Sequence, residues 1–295
     1  MEDEAPVRGL KVALVQMTAG PEIGPNLDAV AALIGDAAAK GAKFVLTPEN
    51  TSIIEPKREL ALAKSLPEEA HPGVPRLSAL SKELGIWLLI GSMPIRVEDG
   101  RLANRSFLID DQGCIVARYD KIHLFDVDLA NGERYRESAT VRPGAEAVVA
   151  PTPWGPLGMT VCYDLRFPHL YRDLAQAGAT MLSVPAAFTV PTGEAHWHVL
   201  LRARAIENGA FVLAPAQCGT HAGGRRTYGH SLIVAPWGEI IAEGDGVTPG
   251  AIVAEIDFAK VAAARDAVPS LRHDRDYARP GRERPAAAGL RAAGE

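Results

Sequence analysis

Cys162 closes the apolar run Leu157-Gly-Met-Thr-Val161 and is followed by Tyr163-Asp-Leu-Arg-Phe-Pro168. A cysteine that leaves a strand for a turn before a helix stands where α/β folds expose reactive groups. Backbone N–H groups there lower a thiol pKa and bind a developing oxyanion, which is the chemistry of nucleophilic attack on a carbonyl. The same position also suits an inert, buried cysteine. Glu49 leaves a similar run, Phe44-Val-Leu-Thr-Pro48, behind a rigid proline. A general base wants that setting: fixed backbone, partial desolvation and a pKa raised toward neutrality. A helix N-cap or a surface ion pair explains a lone glutamate as readily. Lys121, in Tyr119-Asp-Lys-Ile-His-Leu-Phe-Asp126, has aromatic and aliphatic neighbours. They fit either a cation fixed in a pocket or a lysine snorkelling to solvent. Glu137, in Tyr135-Arg-Glu-Ser138 shortly before Arg142-Pro-Gly144, carries no signal by itself.

Metal and nucleotide chemistry find no matching pattern. His196 and His198 are two apart, so on a helix they face different sides. Cys218 and His221 lack a second pair at ligand spacing. The chain has no Walker loop, no strand-linked G-x-G-x-x-G and no G-x-S-x-G elbow. Neither a metal nor an organic cofactor is expected.

Short apolar runs must supply the scaffold for these residues. The clearest are Leu10–Met17, Phe44–Thr47, Ile86–Gly91, Ser106–Ile109, Leu157–Cys162, Thr180–Val184, Ala210–Ala214, Ser231–Ala235 and Ile252–Ile256. Each is strand-sized, and most are bounded by Gly, Pro, Asp or Asn. Helical patterns lie between them: Asn26–Lys40, with Asn26 as N-cap and Gly41 just past its end, Val74–Leu84, Phe167–Ala177 and Glu194–Glu207. Asp110-Asp-Gln-Gly113 and Pro236-Trp-Gly-Glu239 read as hairpin turns. The mixture predicts an α/β fold with a mixed sheet or two packed sheets. No Pro/Gly/Ser linker divides the chain, which predicts one domain over residues 1–278. Arg279–Glu295, rich in Arg, Ala, Pro and Gly, reads as a mobile tail or an arm lying on a partner subunit.

Composition narrows the classes further. The 295 residues are 47% hydrophobic and 23% charged, which suits a full-sized core. A formal charge of −5 without any Lys/Arg run argues against nucleic acid or an anionic membrane as partner. The three cysteines, at 114, 162 and 218, are too sparse for a disulfide framework and fit a reducing compartment. The opening MEDEAPVRGLKV does not read as a signal peptide, and the longest apolar stretch falls short of a membrane span. The expected location is the cytoplasm.

Three blocks, Leu46-Thr-Pro-Glu-Asn50, Tyr119–Asp126 and Val161–Pro168, stand in the order seen in the nitrilase superfamily of carbon–nitrogen hydrolases. Together they make the chain resemble that family from about Lys11 to Tyr277. The resemblance implies a four-layer αββα sandwich of two mixed β-sheets, forming a homodimer through outer helices or a larger homo-oligomer. It implies that Glu49, Lys121 and Cys162 cleave a small carboxamide to an acid and ammonia through a cysteine thioester, without a cofactor. Glu49 would be the base, and Lys121 and the backbone N–H of Tyr163 would bind the oxyanion. Glu137, matching the family's second glutamate, would orient Lys121 or the substrate nitrogen.

Phe125-Asp-Val-Asp128, Thr192-Gly-Glu-Ala-His-Trp197, Arg202–Asn208 and Tyr228-Gly-His-Ser231 are similar to the Nit branch of small-acid amidases. Pro215–His221 followed by Arg225-Arg226 resembles the branch members that take a longer, peptide-like α-keto amide more than those that take a short one. Substrates of both kinds carry carboxylates, for which Arg166, Arg225 and Arg226 are the cations expected to pair bidentately. The two loop arginines fit solvated charge equally well. Phe188 and Thr192 are expected at the pocket, although Phe188 also suits the core. Gly209 replaces a bulkier polar residue of the relatives and is expected to change the pocket wall. Two rival readings share these residues: a nitrilase acting on C≡N, and a catalytically silent member serving as a binding or scaffold protein.

Overall fold

The computed structural model describes residues 9–129, 132–275 and 277. Its first strands are β1 (Gly9–Gln16), β2 (Phe44–Leu46), β3 (Trp87–Arg96), β4 (Leu102–Ile109), β5 (Ile115–Asp120), β6 (Asp126–Asp128), β7 (Arg134–Arg136) and β8 (Val148–Ala150). The later ones are β9 (Leu157–Met159), β10 (Met181–Ser183), β11 (Phe211–Ala214), β12 (Cys218–Thr220), β13 (Arg226–Tyr228), β14 (Leu232–Val234), β15 (Ile240–Glu243) and β16 (Gly250–Asp257). The helices are α1 (Ile23–Ala39), α2 (Arg58–Lys64), α3 (Gly73–Leu84), α4 (Pro168–Gln176), α5 (Val190–Asn208) and α6 (Ala259–Ala267).

One six-stranded sheet has the order β16-β1-β2-β3-β4-β5, and a second has the order β15-β14-β11-β10-β9-β8. In each, three neighbouring strands run parallel, β1-β2-β3 and β9-β10-β11, with antiparallel strands outside them. β1 shows why layers stack on both sides. Leu10, Val12 and Leu14 join a core with Leu157, Met159 and Leu182 of the second sheet, whereas Ala13 and Val15 pack with Val30, Ile34 and Leu77 of α1 and α3. Successive strand side chains alternate in direction, so a strand apolar on both faces must be covered on both. α4 and α5 cover the second sheet through Leu170, Leu174, Trp197 and Leu201. The outcome is an αββα sandwich. Truncating a core side chain such as Leu14, which has no exposed surface, costs about 2–5 kcal/mol.

Some sequence expectations need correcting. α1 begins at Ile23, and Asn26 is buried inside its first turn instead of capping it. The Asn26 amide donates to the Gly20 and Ser52 carbonyls at 2.8 and 2.9 Å and accepts from the Gly20 N–H at 2.7 Å. Those partners on two loops satisfy it better than a cap could. α5 begins at Val190, ahead of Glu194, because Pro191 presets a helical φ in its first turn. At the other end Gly209 (φ 52°) terminates α5 against Arg265, so it caps a helix and does not line the pocket. The tail expected over residues 279–295 lies outside the described residues. No helix among the described residues is long and apolar enough to cross a membrane.

Candidate active site

Strand ends deliver the chemistry. Beyond β2, Thr47-Pro48 leads into Glu49 and then Asn50, which adopts a left-handed conformation (φ 57°) that Asn tolerates. The turn is closed by Thr47 Oγ1 and Thr51 Oγ1 at 2.7 Å, by the Gly91 N–H donating to Thr47 Oγ1, and by the Asn50 N–H donating to Ser92 Oγ at 2.9 Å. Only glycine fits at 91, where a Cβ would stand 1.9 Å from the Thr47 carbonyl oxygen. Beyond β5, Lys121 is anchored by its N–H to the Asn104 carbonyl on β4, at 3.0 Å. Beyond β9, Cys162 opens a 3-10 turn, Cys162–Arg166.

Cys162 is itself left-handed (φ 51°), which costs a non-glycine residue about 1–3 kcal/mol. Its N–H donates to the Pro185 carbonyl at 2.9 Å. Asp164, fully buried, holds the turn from beneath. Its Oδ2 accepts from the Val161 N–H at 2.9 Å and the Tyr119 hydroxyl at 2.6 Å. Its Oδ1 accepts from the His123 N–H at 3.0 Å and lies 2.7 Å from His123 Nδ1. Burial and the Asp164 charge push the Tyr119 phenol far up, so it stays a donor. Since Tyr119 and His123 flank Lys121, one carboxylate couples the cysteine's turn to the lysine's strand end.

The charged groups then meet. Lys121 Nζ donates to Glu49 Oε1 at 2.9 Å and to Glu137 Oε1 and Oε2 at 3.1 and 2.9 Å. Asn104 Nδ2 donates to Glu49 Oε1 at 2.9 Å and to Glu137 Oε1 at 3.2 Å. Backbone N–H groups complete the set: Ala187 to Glu49 Oε2 at 2.9 Å and Phe125 to Glu137 Oε2 at 2.7 Å. Lys121 is 2% exposed and Glu49 4%, so this is interior charge, tolerable only because it is paired and bonded.

Ionisation follows from that packing. Burial pushes Glu49 up, but the Lys121 ammonium and a hydrogen bond from the Cys162 thiol outweigh it and hold the carboxyl below its ordinary value. Burial works against the Lys121 ammonium, yet Glu137 and Glu49 carry it well above its ordinary value. Burial and the Glu49 charge push the Cys162 thiol well up, with Lys121 opposing. The resting site therefore holds a carboxylate, an ammonium and a neutral thiol. This corrects two expectations: the thiol is raised and not lowered, and the glutamate is held below its ordinary value and not above it. For the thiol, burial and the facing Glu49 charge outweigh Lys121; for Glu49, Lys121 and the Cys162 thiol outweigh burial.

These side chains open onto a cavity of about 440 Å³. Glu49, Lys121, Glu137, Cys162, Tyr163, Phe188, Thr192 and Arg225 all line it. Arg166 does not: its guanidinium lies over the Tyr163 and Phe188 rings, 5.8 Å from each centroid, and Nη2 is 3.2 Å from His196 Nδ1. Arg226 is exposed on β13 beside a second groove, which Arg225 also borders. Arg225 lies over the Tyr135 ring at 5.6 Å and donates to the Ala187 carbonyl at 3.1 Å; its buried Nε has no hydrogen-bond partner among the described residues. Sequence reasoning missed Asn104, Asp164, Tyr135 and the lining arginines Arg58, Arg134 and Arg136. Asn104 did leave a signal, a polar side chain following Leu102-Ala103 in an otherwise strand-like run.

Comparisons with known proteins agree with this geometry. The family model "Carbon-nitrogen hydrolase" matches residues 11–266. A deaminated glutathione amidase from Yersinia enterocolitica is 42% identical over 275 residues, covering 91% of this chain and 94% of that one. Nit3 of Saccharomyces cerevisiae, a member of branch 10 of the nitrilase superfamily, has a TM-score of 0.81 at 31% identity, covering 90% of this chain and 96% of its own. An amidase from Nesterenkonia sp. AN1 has a TM-score of 0.74 at 30% identity, over 88% and 94% of the two chains. That structure is of a glutamate-to-glutamine mutant, with the acetamide moiety of fluoroacetamide added covalently at the active-site cysteine. With a family match across most of its length and relatives this similar, the chain belongs to the carbon–nitrogen hydrolase family of the nitrilase superfamily.

Proposed function

We propose that this hydrolase is an amidase of deaminated glutathione, the α-keto analogue of glutathione, working through a thioester on Cys162. The reading rests on the convergence of Glu49, Lys121 and Cys162 in one cavity with Arg225 on its wall. Glu49 takes the thiol proton as sulfur attacks the amide carbonyl. The free site favours the neutral thiol beside an ionised carboxyl, so the proton passes to Glu49 as the sulfur attacks. The oxyanion is met by Lys121 and the backbone N–H of Tyr163, each worth roughly 3 kcal/mol when well placed. Glu49 returns the proton to the departing nitrogen, leaving the thioester. It then deprotonates the attacking water, the acid is released and the thiol regains its proton. Glu137 holds Lys121 in place. No step calls on a metal or organic cofactor. Deaminated glutathione keeps its peptide bonds, so its leaving nitrogen is a dipeptide amine; ammonia leaves only from a primary amide.

Arg225 is the cation that pairs with a remote substrate carboxylate, since it lines the cavity wall over the Tyr135 ring. The test is kcat/KM over deaminated glutathione, α-ketoglutaramate, simple amides and nitriles, with dipeptide and ammonia quantified separately. The expected order descends in that sequence, with no turnover in Cys162→Ala. A preference for α-ketoglutaramate reassigns the chain to omega-amidase chemistry, and substantial activity in Cys162→Ala ends the mechanism.

The same proposal covers the chain's setting. One domain extends to residue 278, supported by a core common to both sheets. Its free cysteines suit the cytoplasm. A second copy covers the exposed Val199, Ile206, Trp237 and Ile240, a surface joined by Ile206 packing beside Gly238. Sedimentation of Ile206→Asp should then show monomer.

A further inference from the structure

Away from the catalytic cavity, two histidines and a glutamate converge from three elements. His198 lies on α5, His230 follows Gly229 between β13 and β14, and Glu243 closes β15. His198 Nε2 is 2.9 Å and His230 Nδ1 2.7 Å from the same oxygen, Glu243 Oε1. One donor atom from each residue lies within 4.8 Å of the other two. None of the three lines the cavity of Cys162.

The backbone around them is pinned. Trp197, next to His198, donates its indole N–H to the His230 carbonyl at 2.8 Å, tying the two histidine-bearing segments directly. The His230 N–H donates to the Asp245 carbonyl at 3.2 Å, and Glu243 pairs with Leu232 across β14 and β15. The Tyr228 ring packs on His230 at 4.4 Å. The donors are thus held by packing, not merely adjacent on a mobile loop. Side-chain exposures of 30%, 28% and 33% leave one side open to water.

We propose that His198, His230 and Glu243 bind a divalent transition-metal ion, with solvent completing its coordination. Two imidazole nitrogens and one carboxylate oxygen are the donor set of Zn²⁺, Co²⁺ and Ni²⁺, whereas Mg²⁺ and Ca²⁺ prefer all-oxygen sites. Each ring presents its unprotonated nitrogen to the ion, and the ring proton resides on the other nitrogen. The ion replaces hydrogen bonds already made at Glu243 Oε1, so the side chains need little rearrangement. Bound there, it clamps α5, whose first turn carries Thr192 of the cavity wall, to the β13–β15 segment.

The probe is Zn²⁺ or Co²⁺ on the untagged full chain carrying Cys114→Ala and Cys162→Ala, which leaves Cys218, fully buried, as the one remaining thiol. Equilibrium dialysis should find about one ion per chain, and the Co²⁺ form should show visible absorption typical of nitrogen–oxygen ligation. At an ion concentration about a hundredfold above Kd, Tm should rise by about 5 °C. His198→Ala, His230→Asn and Glu243→Gln should each weaken binding at least about tenfold. Asn at 230 tolerates the left-handed backbone (φ 55°), and circular dichroism is the check that each variant folds. Binding unchanged in these variants, or no saturable binding below about millimolar ion, overturns the site.

Discussion

The two six-stranded sheets are built alike, yet they contribute opposite things to the cavity. The first sends in charge, with Glu49 beyond β2 and Lys121 beyond β5. The second sends in backbone: a neutral thiol in the left-handed turn beyond β9, and the Ala187 N–H beyond β10. Interior charge must be paired and hydrogen-bonded to persist, so the first sheet's contribution needs Asn104, Glu137 and the second sheet's N–H to stand at all. A neutral thiol carries no such demand, and local backbone geometry alone can place it. The catalytic cluster is therefore a joint product of the sheets, and Asp164 is one of the side chains that bridge them.

The most severe way to break this contrast is to remove charge from the first sheet. Lys121→Met strands the buried Glu49 carboxylate and the half-buried Glu137, so kcat should fall at least about 10²-fold and stability by about 3–5 kcal/mol. Glu49→Gln should match the kcat loss with a smaller stability change. Near-normal kcat in Lys121→Met, measured with circular dichroism showing a folded chain, would reduce the lysine to a structural role. The bridge comes next. Asp164→Asn replaces an acceptor of several hydrogen bonds, and urea unfolding should show a loss of about 1.5–3 kcal/mol, with kcat lowered in step. An unchanged kcat would mean that the sheets hold their contributions independently.

Acidity sharpens the same comparison. Glu49 is depressed, so its stabilisation is present above the ordinary carboxylate range and is lost as pH falls through its folded value. Lys121 is raised, so its contribution is present below the ordinary lysine range and is lost as pH rises through its folded value. Stability should be flat around neutrality. In Lys121→Met the sign for Glu49 inverts, because a buried carboxylate without its cation has a raised pKa. The Tm gap between parent and variant should accordingly shrink as pH drops from about 8 to about 5; a constant gap would refute the pairing.

The smallest effects belong to the loop arginines. Arg225→Gln should raise KM for deaminated glutathione by about 1.5–3 kcal/mol, with less effect on α-ketoglutaramate. Arg226→Gln, exposed beside a separate groove, should change either KM less than twofold. Equal effects of the two would place the substrate across both grooves.

Much of the scaffold was legible because strands and helices announce themselves locally. Apolar runs ending in Thr-Pro-Glu49 and Val-Cys162 marked strand ends, and hairpin turns at Asp110–Gly113 and Pro236–Glu239 stand where their composition put them. What periodicity could not carry was contact between distant segments. Asp164 is separated from Tyr119 by 45 residues and Glu243 from His198 by the same interval. No local pattern tells such partners apart from solvated surface charge. For the same reason the sequence does not show that Arg166, close to the cysteine in the chain, lies over the Tyr163 and Phe188 rings and behind the lining of the cavity.

The sequence by itself determined the layers, through alternation on strands such as β1, and the residue types able to do chemistry at strand ends. Only the tertiary structure decided their ionisation and their company. Whether Glu49 is raised or lowered depends on the balance between burial and an ammonium placed 2.9 Å away by another strand. That balance is a property of distance and dielectric, and neither exists until the two sheets have closed on each other.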